Sequence, residues 1–559
     1  MSAESAPTRR ILRLALPPAR RLWVGIAFGV LSAGSAVALL AVSAWLITRA
    51  SEQPALIYIS MAVVGVRAFA LGRAFFRYLE RLSGHDAAFR QLATIRSELF
   101  GRLVPLAPDG LGDTRRGDLL TRVADDVDEL QNHSLRVVQP LVTAGIIAAV
   151  SVVGVTLLLP EAGLALLVSL VLAFLLGTLI NRWASGAAER TIAPLRAALN
   201  DSVSDLVGNL DVLTAYGALD SAQQRVGAAS RTLTDAIRSR ASGSALTSAV
   251  VSVLAGAATA AALAAGVPAL GAHRLDGPTL AVIALLPLAV FEVFGTVPLA
   301  LGARRQVIAS ARRLAATTPD QPPAGVPVDR PDAVALDRHV GPVIELRGMS
   351  ARWPGTAEPV LDDVSIRLHP GERVVLTGPT GAGKTALAHV LTRFIDYEGS
   401  YTIDGVEARD ARQDDVRTII GLCEQRPYLF DSDLRQNLLF AKDTATDDEL
   451  FAVLERVGLS DWAVERGGLG APVGERGALV SGGQAQRIAV ARAILADFPV
   501  LIVDEPAANV DARIADRVVR DILTTAAEDG RTVLLISHTA VPDDLITRRV
   551  RLERGRVLA

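Results

Sequence analysis

Eight consecutive residues, Gly378, Pro379, Thr380, Gly381, Ala382, Gly383, Lys384 and Thr385, fit G-x-x-x-x-G-K-[S/T], the spacing of a phosphate-binding loop. Glycines at the first, fourth and sixth positions let backbone N–H groups converge on phosphate oxygens, and a helix N-terminus behind them adds a favourable field. Lys384 would reach the outer phosphates of a nucleotide, and Thr385 would ligate Mg²⁺. Lys384 is one of only two lysines among the 57 Lys and Arg residues, so this position calls for an ammonium rather than for any cation.

Further candidates follow the loop. Val500–Asp504 (VLIVD) reads as an apolar strand ending on Asp504, which suits a Mg²⁺ shell. Glu505 stands next to it, placed to polarise an attacking water. Gln425 follows the strand-like run Thr418–Cys423, where its amide would touch metal or water. Val480–Gln484 reads VSGGQ; Ser481, Gly482, Gly483 and Gln484 at a helix start would offer N–H groups to a γ-phosphate. Asp511 closes EPAANVD, His538 ends the strand-like VLLIS within reach of the same phosphate, and Trp353 in ARWPG is a platform for adenine. Taken singly, a Gln, His or Trp is usually structural; order and spacing together carry the reading.

Positioning these residues takes an α/β domain from about residue 342 to the end, in which strand and helix patterns alternate. The loop sits between the apolar run Arg373–Leu376 and a helical run Ala386–Phe394. Ahead of it, residues 316–341 are rich in Pro, Ala and Asp without helical periodicity and read as a linker. Residues 1–315 are different in kind. Half of the 559 residues are hydrophobic, mean hydropathy is +0.35, and six apolar runs long enough to span a bilayer lie near Leu22–Ile47, Ala55–Phe76, Val138–Leu159, Gly163–Ile180, Ser244–Leu270 and Leu280–Leu301. The links between spans alternate short and long, and Arg9, Arg10, Arg13, Arg20 and Arg21 precede the first span, without a signal-peptide pattern. The N-terminus, the long charged segments and the α/β domain are therefore expected in the cytoplasm. A net charge of −2 argues against bulk nucleic-acid binding, and Cys423, the sole cysteine, excludes an intrachain disulfide.

With these motifs in place the whole chain resembles the ATP-binding cassette family, as an exporter half-transporter: an all-α six-helix transmembrane domain followed by an α/β P-loop domain. GERG (Gly474–Gly477) resembles the extra loop of exporter cassettes, Arg115–Leu130 resembles the segment after the first coupling helix of such exporters, and Gly208–Gly217 resembles the second coupling region; the coupling segments are expected near Asp109–Gly117 and Gly208–Gly217. The resemblance implies ATP and Mg²⁺ as cofactors and two cassettes paired head to tail, with Ser481–Gln484 serving the partner's nucleotide and Asp511 among the nucleotide-binding residues. Trp353 replaces the usual Tyr and Val480 the usual Leu; neither removes a catalytic group. Glu505, His538 and Gln425 would carry hydrolysis.

The second span and its continuation place Arg73, Arg77, Arg81 and His85 four residues apart, one slowly drifting helical stripe, with Arg67 higher and Arg136 just before the third span. Arginines at membrane depth face a cavity or a partner. Such a set suits an anionic cargo, with His85 available to a metal; the plain alternative has the arginines snorkelling to lipid headgroups or pairing with Glu80. Phe291, Glu292 and Phe294 of the sixth span are further cavity candidates. RYLERLSGHDAAFR (Arg77–Arg90), LRVVQP (Leu135–Pro140) and RQNLLFA (Arg435–Ala441) resemble the CydC-type subunit of the CydDC transporters. That implies a heterodimer in the bacterial inner membrane, serving cytochrome bd assembly, with a CydD-like partner and haem or a small thiol such as glutathione or cysteine as cargo; His85 would suit haem iron. A homodimeric lipid or drug exporter and a haem-binding regulatory subunit are the alternatives.

Overall fold

The computed structural model describes residues 5–111, 122–180, 186–319, 322–339, 341–506, 512–538 and 541–558, without side chains at 122–123, 186–190, 193 and 512–515. Asp511, residues 112–117 of the expected first coupling segment and residues 118–121 after it lie outside the described residues. The chain divides into two compact units; the described residues 102–111 belong with the second.

Among its described residues the first unit is helical and holds no strand. Six helices among them are long and apolar enough to cross a membrane: Ala19–Ser51, Leu56–Leu106, Ala124–Leu158, Pro160–Ile180, Leu219–Gly271 and Gly277–Thr317. The second begins as one unbroken α-helix, Leu56–Leu103, so the apolar run and its charged continuation form a single rod. Side chains such as Leu56, Met61, Leu71 and Leu157 stand exposed, as expected where lipid or a partner replaces water. Small residues, among them Ala144, Ala162, Ala173, Ala258 and Ala262, fill the interior and let helix backbones approach closely. Two π-helical turns, Arg122–Asp126 and His133–Val138, interrupt the third span, and Arg136 lies in the second of them. The segment Leu210–Ala215 within the second coupling region is a short exposed helix.

The second unit holds two sheets. A four-stranded antiparallel sheet runs β2 (Leu361–Leu368), β1 (Ile344–Ala351), β4 (Tyr397–Ile403), β5 (Val406–Glu407). A six-stranded sheet runs β10 (Arg556–Leu558), β9 (Arg548–Glu553), β3 (Arg373–Thr377), β8 (Thr532–Ile536), β7 (Val500–Asp504), β6 (Ile420–Cys423). Its strands are parallel except for the β9–β10 edge pair. β7 and β8 are buried at every position, the mark of strands covered on both faces. The Thr418–Cys423 run divides differently from expectation: Thr418 and Ile419 end a helix, Gln413–Ile419, and only Ile420–Cys423 is strand. The stretch 322–339 carries no helix, and its backbone is tied into the second unit. Val334 forms a parallel bridge with Ala411, Gly325 accepts from the Asp396 N–H at 2.9 Å, and Asp329 accepts from the Gln413 N–H at 3.1 Å. Its prolines and aspartates prevent a helix, but its polar groups still find partners.

Candidate functional site

The parallel strands end on a common edge, and the candidate residues leave from it. Register pairs Leu376 with Ile536 and Asp504 with Ile536, and Cys423 with Val503. The carboxyl ends of β3, β8, β7 and β6 therefore release the phosphate loop, His538, Asp504–Glu505 and Gln425 side by side. That edge is where ligands bind in open α/β sheets.

The loop's conformation requires its glycines. Gly383 has φ +102°, and a Cβ on Gly378 would lie 2.2 Å from the Leu552 carbonyl oxygen. The helix Lys384–Leu391 starts immediately after Gly383. Lys384 is buried; its Nζ donates to the carbonyls of Gly378 (2.9 Å) and Pro379 (3.1 Å) and lies 3.1 Å from His538 Nε2. Thr385 Oγ1 donates to Asp504 Oδ2 at 3.0 Å. Burial, first, and the neighbouring Glu505 charge push the Asp504 carboxyl above the usual range, while the Thr385 hydrogen bond opposes them. A hydroxyl beside a buried carboxylate, at the start of the loop helix, is an oxygen donor set that suits Mg²⁺.

Glu505 is the hub of a second cluster. Gln425 Nε2 donates to Glu505 Oε2 at 2.5 Å, and His538 Nε2 lies 2.8 Å from Glu505 Oε1. Glu505 sits at φ +48°, an uncommon conformation for a side chain with a Cβ, held by its N–H donating to the Ile536 carbonyl at 3.0 Å. The same His538 nitrogen faces both Lys384 and Glu505. It accepts from the lysine when bare and donates to the carboxylate when it carries the proton. Gln425, Glu505, His538 and Lys384 thus form one polar chain, drawn from three strand ends and the loop.

Other candidates stand apart from it. Ser481 caps the helix Gly482–Leu495 in a reciprocal box with Gln484: Ser481 N–H donates to Gln484 Oε1 at 2.8 Å, and Gln484 N–H to Ser481 Oγ at 3.2 Å. Ser481 and Gly482 are exposed. Trp353 follows β1, half-buried, with its ring edge-on to His389 at 5.5 Å. Cys423 is buried in β6, and burial pushes its thiol up to about 12.

One pair was not legible from the chain. His389 Nδ1, on the loop helix, lies 2.6 Å from Asp109 Oδ2, both largely buried. The two are 280 residues apart in sequence, and no spacing rule links them; a helical position one turn past Thr385 was the only signal.

In the first unit, Arg77, Arg81, His85 and Arg136 line one cavity of about 520 Å³, together with Glu80 and Gln139. Arg73 does not join them. Its Nη2 donates to Glu292 Oε1 at 2.8 Å, tying the second span to the sixth. Arg136, Phe291 and Glu292 line a second cavity of about 620 Å³. Phe294, expected beside them, does not line it; its ring is buried in the helical core, 6.2 Å from that of Phe291. Arg67 is exposed.

A six-helix apolar unit joined to a P-loop α/β unit with these strand-end residues defines an ATP-binding cassette transporter. Residues 12–290 match the ABC transporter transmembrane region and 361–508 the ABC transporter family. The chain is 31% identical over 96% of its length, and 93% of the relative, to the glutathione/L-cysteine transport system ATP-binding/permease protein CydC of Escherichia coli. It is 27% identical over 99%, and 95% of the relative, to its counterpart in Haemophilus influenzae. It belongs to the ABC transporter family, as an exporter half-transporter. An ATP-dependent lipid A-core flippase of Desulfotalea psychrophila is 34% identical over 45% of the chain and 43% of the relative. A solved bacterial Atm1-family ABC exporter with ATP bound shares the fold, with TM-score 0.80 over 97% of this chain and 94% of that one, at 21% identity. The protein is a multi-pass membrane protein with a cytoplasmic nucleotide-binding domain that couples ATP hydrolysis to transport.

Proposed function

We propose that this chain is the CydC-type half of a heterodimeric exporter that moves a small anionic cargo. The observation that carries this reading is the cavity shared by Arg77, Arg81, His85 and Arg136: three guanidinium groups on two helices at the cytoplasmic end of the spans suit carboxylates. Likeness to CydC proteins along 96% of the chain supports the reading over a lipid flippase, whose likeness covers 45%. A CydD protein of Bacillus subtilis is 26% identical over 96% of the chain and 92% of the relative, which supports pairing with a second, related half. Glutathione, cysteine and haem all carry carboxylates, and His85 gives haem iron a ligand. Cytochrome bd assembly in the bacterial inner membrane would be the setting.

In the cassette, the loop N–H groups and Lys384 would hold the phosphates, Trp353 would stack adenine, and Thr385 and Asp504, with Gln425, would hold Mg²⁺, which neutralises phosphate charge. Glu505 would orient and deprotonate water, kept in place by Gln425. With Lys384 drawn to a phosphate, His538 no longer accepts from it; carrying its proton on Nε2, it would turn from Glu505 to donate to the γ-phosphate. Ser481–Gln484, at a helix N-terminus, would complete the partner's site, and Asp511 remains a nucleotide-binding candidate.

The test is a hemin titration of the purified complex, read by Soret absorbance and ATPase rate, on wild type and His85→Ala. A saturable Soret shift lost in the variant, with ATPase stimulated in wild type, is the haem outcome. Stimulation by glutathione without a Soret shift assigns the thiol cargo. Stimulation by neither sinks the anionic-cargo reading.

A further inference from the structure

The two cavities of the first unit are not chemically alike. That of about 520 Å³ is dominated by cations, with Glu80 among three arginines. That of about 620 Å³ is lined by two arginines, Arg136 and Arg240, by the carboxylate residue Glu292, and by the hydroxyl residues Ser244, Ser248 and Thr296. Leu135 and Arg136 line both, so the two spaces share a wall.

Glu292 is the informative residue. A carboxylate inside a span is costly and needs a partner or a task. One oxygen, Oε1, takes Arg73 Nη2 at 2.8 Å. Among the described residues no donor reaches Oε2, and the side chain is 64% exposed. Arg240, when Gln306 is oriented with its oxygen toward the guanidinium, donates to it from both terminal nitrogens at 3.0 and 3.1 Å; one carboxylate outside the cavity lining, Glu129, lies within electrostatic range of Arg240 and Arg136, leaving the pair net positive. The cavity therefore presents a fixed positive end, a negative end with an accepting oxygen to spare, and hydroxyls that donate or accept. Its size is within the range that encloses a small molecule.

We propose that this cavity is a zwitterion site: Arg136 and Arg240 take a carboxylate of the cargo, and Glu292 selects for a free α-ammonium. The assignment rests on the anionic-cargo reading above and deepens it to an amino-acid or short-peptide ligand. Glu292 is then a specificity-determining residue rather than a structural anchor of Arg73. Discrimination comes from an accepting oxygen that a blocked amine cannot satisfy as an ammonium does.

The experiment is equilibrium binding of radiolabelled glutathione to the full-length complex in phosphatidylcholine/phosphatidylglycerol nanodiscs, with N-acetylglutathione as competitor. Wild type should bind the free amine at least about 10-fold more tightly than the acetylated form. Glu292→Gln should bring the two within about 3-fold, and Glu292→Asp should restore part of the preference, which a folding defect would not. Arg240→Gln should weaken both ligands together. Equal affinity in wild type, or discrimination that persists in Glu292→Gln, overturns the proposal. A complex that shows the hemin shift but binds neither peptide overturns it while leaving the anionic-cargo reading intact; one that responds to no anionic ligand overturns both. Glutathione binding abolished when the nanodiscs carry phosphatidylethanolamine would assign the site to that headgroup and overturn the peptide assignment.

Discussion

Replacing Asp504 by Asn separates metal chemistry from folding. Asp504 is 5% exposed, and its carboxyl is pushed up chiefly by burial. An acid with a raised folded-state pKa binds more protons folded than unfolded, so its ionisation costs stability as pH rises through that pKa. Asn keeps the shape, removes the charge and still accepts from Thr385 Oγ1, which now donates to Asp504 at 3.0 Å. Without nucleotide the variant should therefore melt at or above the wild-type temperature. With Mg²⁺ and ATP the order should reverse. A ligand at about 100 times its dissociation constant stabilises wild type by about 2.7 kcal/mol; the Mg²⁺-dependent part of that gain should disappear in Asp504→Asn. In wild type the same part should fade as pH falls through the raised pKa, at a higher pH than an ordinary aspartate would give. Thermal unfolding of the detergent-purified protein, with EDTA, ATP–EDTA and Mg²⁺–ATP, reads all three. A variant destabilised in EDTA by more than about 1 kcal/mol, or one that keeps the Mg²⁺ increment, excludes this role for Asp504.

Three further outcomes follow from the geometry. Trp353→Ala removes the proposed adenine platform and should raise KM for ATP about 10-fold, as loss of one stacked base costs about 1–3 kcal/mol, with kcat little changed in steady-state ATPase assays. Cys423, buried and with its thiol pushed up to about 12, should resist maleimide at pH 8 in the native protein and react on denaturation; rapid native labelling contradicts its placement in β6. Asp109→Ala and His389→Ala each break the 2.6 Å contact and should each cost about 1–3 kcal/mol. The double variant should cost little more than either alone in a thermal-unfolding cycle, and full additivity would show the contact to be idle.

Much of the cassette was legible because phosphate binding dictates residue type and spacing together. The strand before the loop, the helix after it and the acid at the end of β7 follow from local pattern alone. The spans were legible from apolar length. What the chain could not state was pairing at a distance: that Arg73 leaves its own helical stripe for Glu292, that His389 meets Asp109, and that Gln425 and His538 both converge on Glu505. Each depends on which strand or helix lies beside which, and periodicity along one element carries no such information. The residues 322–339 show the same limit from the other side. Proline and aspartate content correctly excludes a helix, but it says nothing of the backbone partners at Ala411 and Asp396.

The most direct test of the account is ATP-driven uptake of glutathione and of hemin into inverted membrane vesicles containing the chain and its neighbouring-gene half-transporter, comparing wild type with Glu505→Gln. Loss of a general base costs about 10²–10⁴-fold. ATP-dependent accumulation of one of these cargoes is expected in wild type and none above background in the variant, while the variant still binds ATP. Accumulation that continues in Glu505→Gln, or that proceeds without ATP, would contradict it.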